Sequence, residues 1–433
     1  MTLANLRKRP QAGVVAASVM AASMWFYVQY VLVPYQQADA ARHDRPRGNL
    51  SDLYPRWLGA RELLVHHRDP YSPEVTKEIQ AGYYGRPLDA GRPGDPRDQQ
   101  GFVYPLYVVF LLAPTVKLPY SMVMAGFRWM LVLLTAASVP IWLGVIRWRP
   151  SRGVLAIMLL LTLGSFPAVQ GIKLQQLSLL VSALIAAASG LLVGGHLLLA
   201  GGLLAVASIK PQLVVPVAGW FALWTAGDLR RRWPFLAGFS LTLAVLLLAA
   251  EYVLPGWMGG FREAVAAYGQ YTGGGSSLLD VLVTPAAGKV LAAVVILVVA
   301  WLGWQRKSAP ADSLDFTFTL ATVLAATVVV IPMFAPYNQL LLLPAIFLLT
   351  RSGGELWQRN LGTRILLVVA AGLVLWPWLA TLGLALGSLW LAPGVLERAW
   401  AAPLYSSVPI PLATLALLAC LGARPLHCHS SER

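Results

Sequence analysis

A chain of 433 residues that is 57% hydrophobic and only 12% charged, with mean hydropathy +0.64, is not a soluble globular protein. Soluble domains carry about 25% charged residues, whereas this is the composition of a multi-pass membrane protein. The net charge of +14 is read as the positive bias of cytoplasmic loops, and nucleic acid is excluded as a partner because no basic stripe interleaves with aromatics in a polar domain. The two cysteines, Cys420 and Cys428, suggest neither a disulfide framework nor a metal site, while 16 Trp and 15 Tyr suit rings lodged at the headgroup layer of a lipid bilayer.

In chain order, Arg7, Lys8 and Arg9 precede an apolar stretch too long and aromatic for a cleaved leader. Residues 12–33 are therefore expected as a first span that starts in the cytoplasm. Residues 34–101 then lie outside. This loop holds ten acidic and ten basic side chains, so it is near neutral and strongly hydrophilic. Within it, Asp52 to Tyr71 is expected to form a helix capped by Ser51 or Asp52, with Pro55 in its first turn, ending at an Asp69-Pro70-Tyr71 turn. The Gly/Pro-rich stretch that follows, 87–101, is expected to be mobile.

Residues 102–119 could span, lie in the interface or re-enter. If they do not cross, the basic clusters at Arg147 to Arg152, Arg230 to Arg232, Arg306 with Lys307, Arg351 to Arg364, and Arg424 all fall on the cytoplasmic side. That choice gives spans near 12–33, 121–146, 153–169, 176–193, 196–209, 211–226, 233–254, 284–304, 316–333, 338–350, 364–386 and 408–422. The expected fold is thus one all-α integral-membrane domain over 1–433, with about twelve transmembrane helices and both termini cytoplasmic. Residues 34–119 form its extracytoplasmic loop, short helices included, plus an interfacial or re-entrant segment. Several spans fall short of the roughly 20 residues a straight crossing needs, so they must be broken, tilted or buried in protein.

This topology brings the polar interruptions to the outer face. They are Asp52 with Arg56, then Lys173, Gln175 and Gln176, then Lys210 and Gln212, then Asp280, and finally Tyr337, Asn338 and Gln339. Ionisable groups at membrane depth are costly and usually functional. Each has a plainer reading beside the chemical one. Lys210 could snorkel from a helix end, Gln175 and Gln176 could hold helices together, and Asp52 could cap a helix or pair with Arg56 at i+4. Glu62, Glu251 and Asp280 are alternative acids. No Walker A run or zinc-spaced Cys/His set occurs. His66-His67 reads as a surface pair, His427 and His429 as a tail feature, and Gly273 to Gly275 as a loop.

The order of these elements carries a resemblance. An outer-loop Asp follows the first span, and a helix ends in DPY. Then come FVYPLY, GIKLQQLSLLVSALIAAA and SIKPQLVVPVAGWFAL. Over roughly residues 20–350 this resembles the polyprenyl-phosphate-mannose-dependent mannosyltransferases of glycosyltransferase family 87, in the GT-C superfamily. Two departures are Tyr104-Pro105-Leu106 where the family often has Tyr-Pro-Pro, and Lys173-Leu174-Gln175 where it often has Gly-Gln.

The resemblance implies an inverting sugar transfer on the extracytoplasmic side of the plasma membrane. A polyprenyl-phosphate sugar would be the donor, and a glycolipid or glycan the acceptor. It maps the catalytic aspartate onto Asp52, which would take the proton of the acceptor hydroxyl. Lys210, Arg56 or Lys173 would meet the donor phosphate. Gln175, Gln176, Gln212, Tyr71, Tyr104, Asn338 and Gln339 are the substrate-binding candidates. Tyr104, Tyr107 and Phe110 offer a wall for the polyprenyl chain. No cofactor or metal is expected, because phosphate is already a good leaving group. The chief rival is a secondary transporter or carrier of lipid-linked sugars, which broken helices and a midplane lysine would suit.

Overall fold

The computed structural model describes residues 10–45, 51–89, 91–271, 277–332 and 335–422. Every regular element among them is a helix. Arg7 to Arg9, Gly273 to Gly275, Arg424, His427, Cys428 and His429 lie outside the described residues.

Six stretches among the described residues are long and apolar enough to cross a bilayer: Gln11–Arg42, Tyr120–Val145, Leu229–Val253, Pro285–Gln305, Leu361–Gly387 and Pro393–Gly422. Arg152–Leu163 and Phe166–Lys173, bent by 51°, make a seventh if taken as one broken span. The expectation of about twelve counted every apolar stretch. Leu177–Val193, Leu197–Ala207 and Leu314–Val330 are shorter helices of 10–17 residues. Protein covers much of Leu177–Val193 and all of the centre of Leu314–Val330, whereas Leu197–Ala207 leaves Leu198 and Leu199 exposed. Leu314–Val330 is buried at every position from Phe316 to Val329, so its end groups need not face hydrocarbon. Leu229–Val253 and Pro285–Gln305 show the opposite pattern. Leu241, Leu248, Leu297 and Trp301 stand exposed along them, as lipid-facing residues would.

The first span differs from its expected end. The helix does not stop at residue 33 but continues through a π turn, Val28–Leu32, into Val33–Arg42. Pro34 explains the π turn. Its ring would clash with the preceding turn of an α-helix, and the wider turn, closed by Val33 N–H on Val28 O, relieves it. The polar loop therefore begins at His43, one helix later than expected. Residues 102–119 form no spanning helix, only Val108–Leu112 and a single 3-10 turn at Ala113–Thr115. Phe102, Tyr104, Leu106, Tyr107, Val109 and Leu112 are buried in the main core, so this segment packs into protein. Phe110 is half-buried.

The long helix Tyr120–Val145, at 26 residues, separates two faces by about 39 Å. At one end Tyr120 packs on Tyr54 and Trp57 of the polar loop. At the other, the basic clusters meet. Arg147 pairs with Asp312 at 2.6 Å, Arg351 donates to Ile146 O, and Arg306 pairs with Asp315 at 3.6 Å. Arg232 donates to the carbonyls of Trp224, Lys307, Ser308 and Ala309. Four clusters far apart in sequence thus share one cationic face.

Two features set the packing near the site. Helices Leu197–Ala207 and Leu229–Val253 touch backbone to backbone. A Cβ on Gly201 would sit 2.1 Å from Phe235 O, and one on Gly238 would sit 2.0 Å from Leu198 O. Small residues at such crossings let membrane helices pack closely. Gly201→Ala is expected to cost about 1–3 kcal/mol through forced overpacking and to lower the melting temperature in detergent. Gly219→Ala, where nothing lies within 4 Å, should leave it unchanged. The second feature is the elbow of the broken span. A Cβ on Gly164 would meet Ala21 Cα at 2.4 Å, its carbonyl accepts Trp378 Nε1 at 2.7 Å, and Ser165 caps Phe166–Lys173 through Ala168 N–H.

Candidate active site

The site is assembled where the start of the polar loop meets the turn after Phe166–Lys173. Ser51 Oγ donates to Leu174 O at 3.1 Å and accepts Leu53 N–H at 3.1 Å, while Asp52 N–H donates to the same Leu174 carbonyl at 3.0 Å. Ser51 therefore pins the loop to the turn. Asp52 does not cap the helix Tyr54–His66, whose N-cap position is Leu53 with no side-chain bond. Nor does Asp52 pair with Arg56 through its carboxylate. Arg56 Nη1 instead donates to the Asp52 backbone carbonyl at 2.9 Å. The carboxylate is left for other partners.

Those partners come from elsewhere in the chain. Gln176 Nε2 donates to Asp52 Oδ2 at 2.5 Å, and Tyr83 Oη donates to Oδ1 at 3.2 Å. Gln176 Oε1 in turn accepts Lys210 Nζ at 2.9 Å, and Ser178 Oγ accepts the same ammonium at 2.6 Å. One amide thus links the acid to the cation. Lys210 sits at the start of Pro211–Ala226, buried, with its Nζ 5.6 Å from the Tyr104 ring centroid and 5.4 Å from that of Tyr337. The Arg56 guanidinium lies 4.7 Å over the Tyr104 ring. Asp52 itself is half-buried, so a substrate can reach it.

Gln175 explains how Gln176 reaches Asp52. Gln175 has φ +48° and is fully buried, and its Nε2 donates to the carbonyls of Ile172 and Lys173, both at 2.7 Å. A non-glycine residue in the left-handed region stores strain. Here two hydrogen bonds hold the strained turn and aim the next residue. Gln175 thus shapes the site without facing Asp52.

The remaining candidates divide. Lys173 Nζ donates to Gln36 Oε1 at 2.6 Å, a contact made possible by the extension of the first helix. Tyr71 Oη donates to Tyr104 O at 2.7 Å, and its backbone N–H is accepted by Asp69 Oδ1 at 2.9 Å, so the DPY turn forms as read. Asn338 is buried with Oδ1 lacking a partner. Gln339 turns away and donates to Ser407 O at 2.6 Å beside an apolar cavity of about 310 Å³. Gln212 is exposed on its helix. Of the alternative acids, Asp280 is buried in a capping box with Ser277, and Glu62 is engaged by His66 and Arg68 at 3.0 Å each. Glu251 accepts Gly256 N–H at 2.8 Å. Sequence reasoning missed Tyr83 and Ser178, which carry no spacing signal, and gave Ser51 a helix cap's role rather than the tether to Leu174 that it forms. Among the described residues no three His, Cys, Asp or Glu side chains converge as metal ligands would.

The electrostatics follow from burial. Burial, and then the nearby Arg56 charge, push the Lys210 ammonium down to about 7, with Asp52 opposing. Burial first, and then the Asp52 charge, push the Tyr83 phenol well above its usual value, so it remains a donor to the carboxylate. Of the three donors on the lysine, two are taken within the protein. The third, in a poorly hydrated pocket, suits an anion. The arrangement is a carboxylate and an ammonium held in register by one shared amide.

The family model for glycosyltransferase family 87 matches residues 102–332, more than half of the chain. The chain belongs to glycosyltransferase family 87. Among curated proteins no relative matches it. A family 87 glycosyltransferase is an enzyme that transfers sugar, so the carrier reading is set aside. The apolar helices place this glycosyltransferase in a lipid bilayer. Tyr104, Lys173, Gln176 and Lys210 fall within the matched span, and Asp52 and Arg56 precede it.

Proposed function

We propose that this membrane glycosyltransferase moves a sugar, mannose by resemblance, from a polyprenyl-phosphate donor to a glycolipid or glycan acceptor with inversion at the anomeric carbon. The cationic face is read as cytoplasmic by the positive-inside rule. That reading sets the Asp52 face outside the plasma membrane, with both termini inside. One observation carries the mechanism: Asp52 and Lys210 share Gln176 as a common hydrogen-bond partner.

The steps follow from that geometry. The acceptor hydroxyl oxygen attacks the anomeric carbon as Asp52 accepts its proton, which makes a poor nucleophile competent. The bond from the anomeric carbon to the phosphate oxygen breaks on the opposite face, and the polyprenyl phosphate departs with the bonding electrons. Lys210 and Arg56 meet the charge that develops there, in a site where preorganised cations act strongly. Gln176 keeps acid and cation in register. Lys173 stands at the margin beside Gln36, while the Tyr104 ring lies against both Lys210 and Arg56. Direct displacement needs one base, unlike the paired acids of glycoside hydrolysis.

The test is to incubate membranes containing the protein with radiolabelled polyprenyl-phosphate mannose and to identify the labelled product by mass spectrometry. A mannosylated product of inverted configuration, absent from membranes lacking the protein, is expected. Transfer only from a nucleotide sugar would sink the donor assignment.

A further inference from the structure

A cavity of about 670 Å³ lies between the helix Pro73–Tyr84, the segment 88–103 and the helix Trp257–Tyr271. Its size suits a ligand of several rings rather than one small group. Its walls mix polar side chains, Thr76, Gln100, Glu263 and Gln270 among them, with the rings of Tyr71, Phe102 and Tyr268. A sugar, with hydroxyl groups at its edge and C–H groups on its faces, suits such a lining.

The stretch that makes its floor was expected to be mobile. The structure pins it instead. Gln80 Nε2 donates to Gln99 O at 3.0 Å, Gln80 Oε1 accepts Leu88 N–H at 3.0 Å, and Tyr84 Oη donates to Asp98 O at 3.0 Å. Arg86 binds Asp95 through two bonds of 2.9 and 2.5 Å. These contacts fix one carboxylate in particular. Asp98 Oδ1 accepts Gln100 N–H at 3.0 Å and Oδ2 accepts Gln100 Nε2 at 2.8 Å, and Gln100 holds φ +51° to make both bonds.

Asp98 and Tyr268 both line the cavity. One helix, Pro73–Tyr84, ties this wall to the Asp52 site: Tyr84 Oη donates to Asp98 O at 3.0 Å, and the preceding Tyr83 Oη donates to Asp52 Oδ1 at 3.2 Å. Burial pushes the Asp98 carboxyl up from its usual value, with the Gln100 hydrogen bonds and the Arg56 charge opposing. The cavity therefore adjoins the Asp52 site across the end of that helix.

We propose that the acceptor sugar is seated in this cavity, and that Asp98 binds a hydroxyl beside the reacting one and so selects which hydroxyl meets Asp52. The proposal rests on the transferase reading above. Asp98 makes a specificity contact here, and Asp52 remains the base.

The experiment separates the two. Purified protein is titrated with mannobiose and maltose as soluble acceptor probes, and separately with a short-chain polyprenyl phosphate. Asp98→Asn is expected to weaken disaccharide binding about tenfold or more, as loss of a charged hydrogen bond does, while polyprenyl-phosphate binding stays within twofold. Gln270→Ala, on the far wall, should weaken the disaccharide alone, by a smaller factor. In the labelled-donor assay Asp98→Asn should raise the acceptor KM and give a mixture of linkages. Unchanged disaccharide binding in both variants would overturn the proposal. So would a serine/threonine peptide that competes for the cavity better than either sugar. Failure of polyprenyl phosphate to bind the unaltered protein would count against the donor assignment alone, since the disaccharide titrations still decide the cavity.

Discussion

Asp52→Asn should abolish sugar transfer while leaving a folded, inserted protein. The expected loss in kcat is on the order of 10² to 10⁴, the usual contribution of a positioned general base. The amide is isosteric. Its oxygen can still accept Gln176 Nε2, and the loop remains pinned through Ser51 and the Asp52 backbone. Membrane insertion and melting temperature should therefore stay close to those of the unaltered protein. What disappears is the ability to take a proton and the acceptor for Tyr83 Oη, which must turn to accept from the new amide NH2 instead. The measurement is single-turnover transfer from labelled donor, with the donor KM determined alongside. A variant that keeps more than about a tenth of the rate would remove Asp52 as the base, because no general-base contribution is that small.

Lys210→Met carries the second large effect, and a different signature. Loss of a charge-assisted hydrogen bond to phosphate should raise the donor KM by roughly 10- to 100-fold. Loss of the cation from the departing phosphate should lower kcat by about 10² to 10³. The pH dependence identifies the group. With burial holding the Lys210 ammonium near 7, the cation predominates below that pH and the neutral amine above it. Donor affinity in the unaltered protein should thus fall as pH rises through about 7. The Met variant should bind weakly and show no such step. A donor KM that is flat from pH 6 to 8.5 in the unaltered protein would show that Lys210 does not meet the phosphate. Stability should fall by about 1–3 kcal/mol, because Gln176 Oε1 loses the ammonium it accepts even though Met fills similar space.

How much of this was legible beforehand differs from residue to residue. Asp52 stood out because it is a carboxylate just past a membrane-length segment. Its plainer reading as a cap was reasonable, and only the Ser51 contact to Leu174, across 123 positions, turns it away from that duty. Lys210 stood out because apolar residues flank it. That it shares Gln176 with Asp52 could not be read, since the contact spans 34 positions and depends on a left-handed Gln175. No propensity marks such a turn. Asp280 was misplaced for the opposite reason: Ser277-x-x-Asp280 is a capping box in plain sight, and its outer-loop position masked that. Hydropathy read the lipid-facing helices well, Leu229–Val253 and Pro285–Gln305 above all. It could not tell Leu314–Val330 apart from them, because a helix sheathed in protein and one sheathed in lipid are equally apolar. It also overlooked Val33–Arg42, where polar side chains on a continued helix look like a loop.

The elbow at Gly164 and Ser165 bears on where this enzyme can tolerate change. The turn that aims Gln176 hangs from the short arm Phe166–Lys173, and that arm is clamped at its root by Trp378, on a helix more than two hundred positions downstream. Alignment of Gln176 with the Asp52 carboxylate is consequently set by leverage, from a point well outside the site. Drift at Trp378 or Ala21 would reach Gln176 as misaim, so with Asp52 as the proposed base, part of the selection on catalysis falls on residues that look purely architectural.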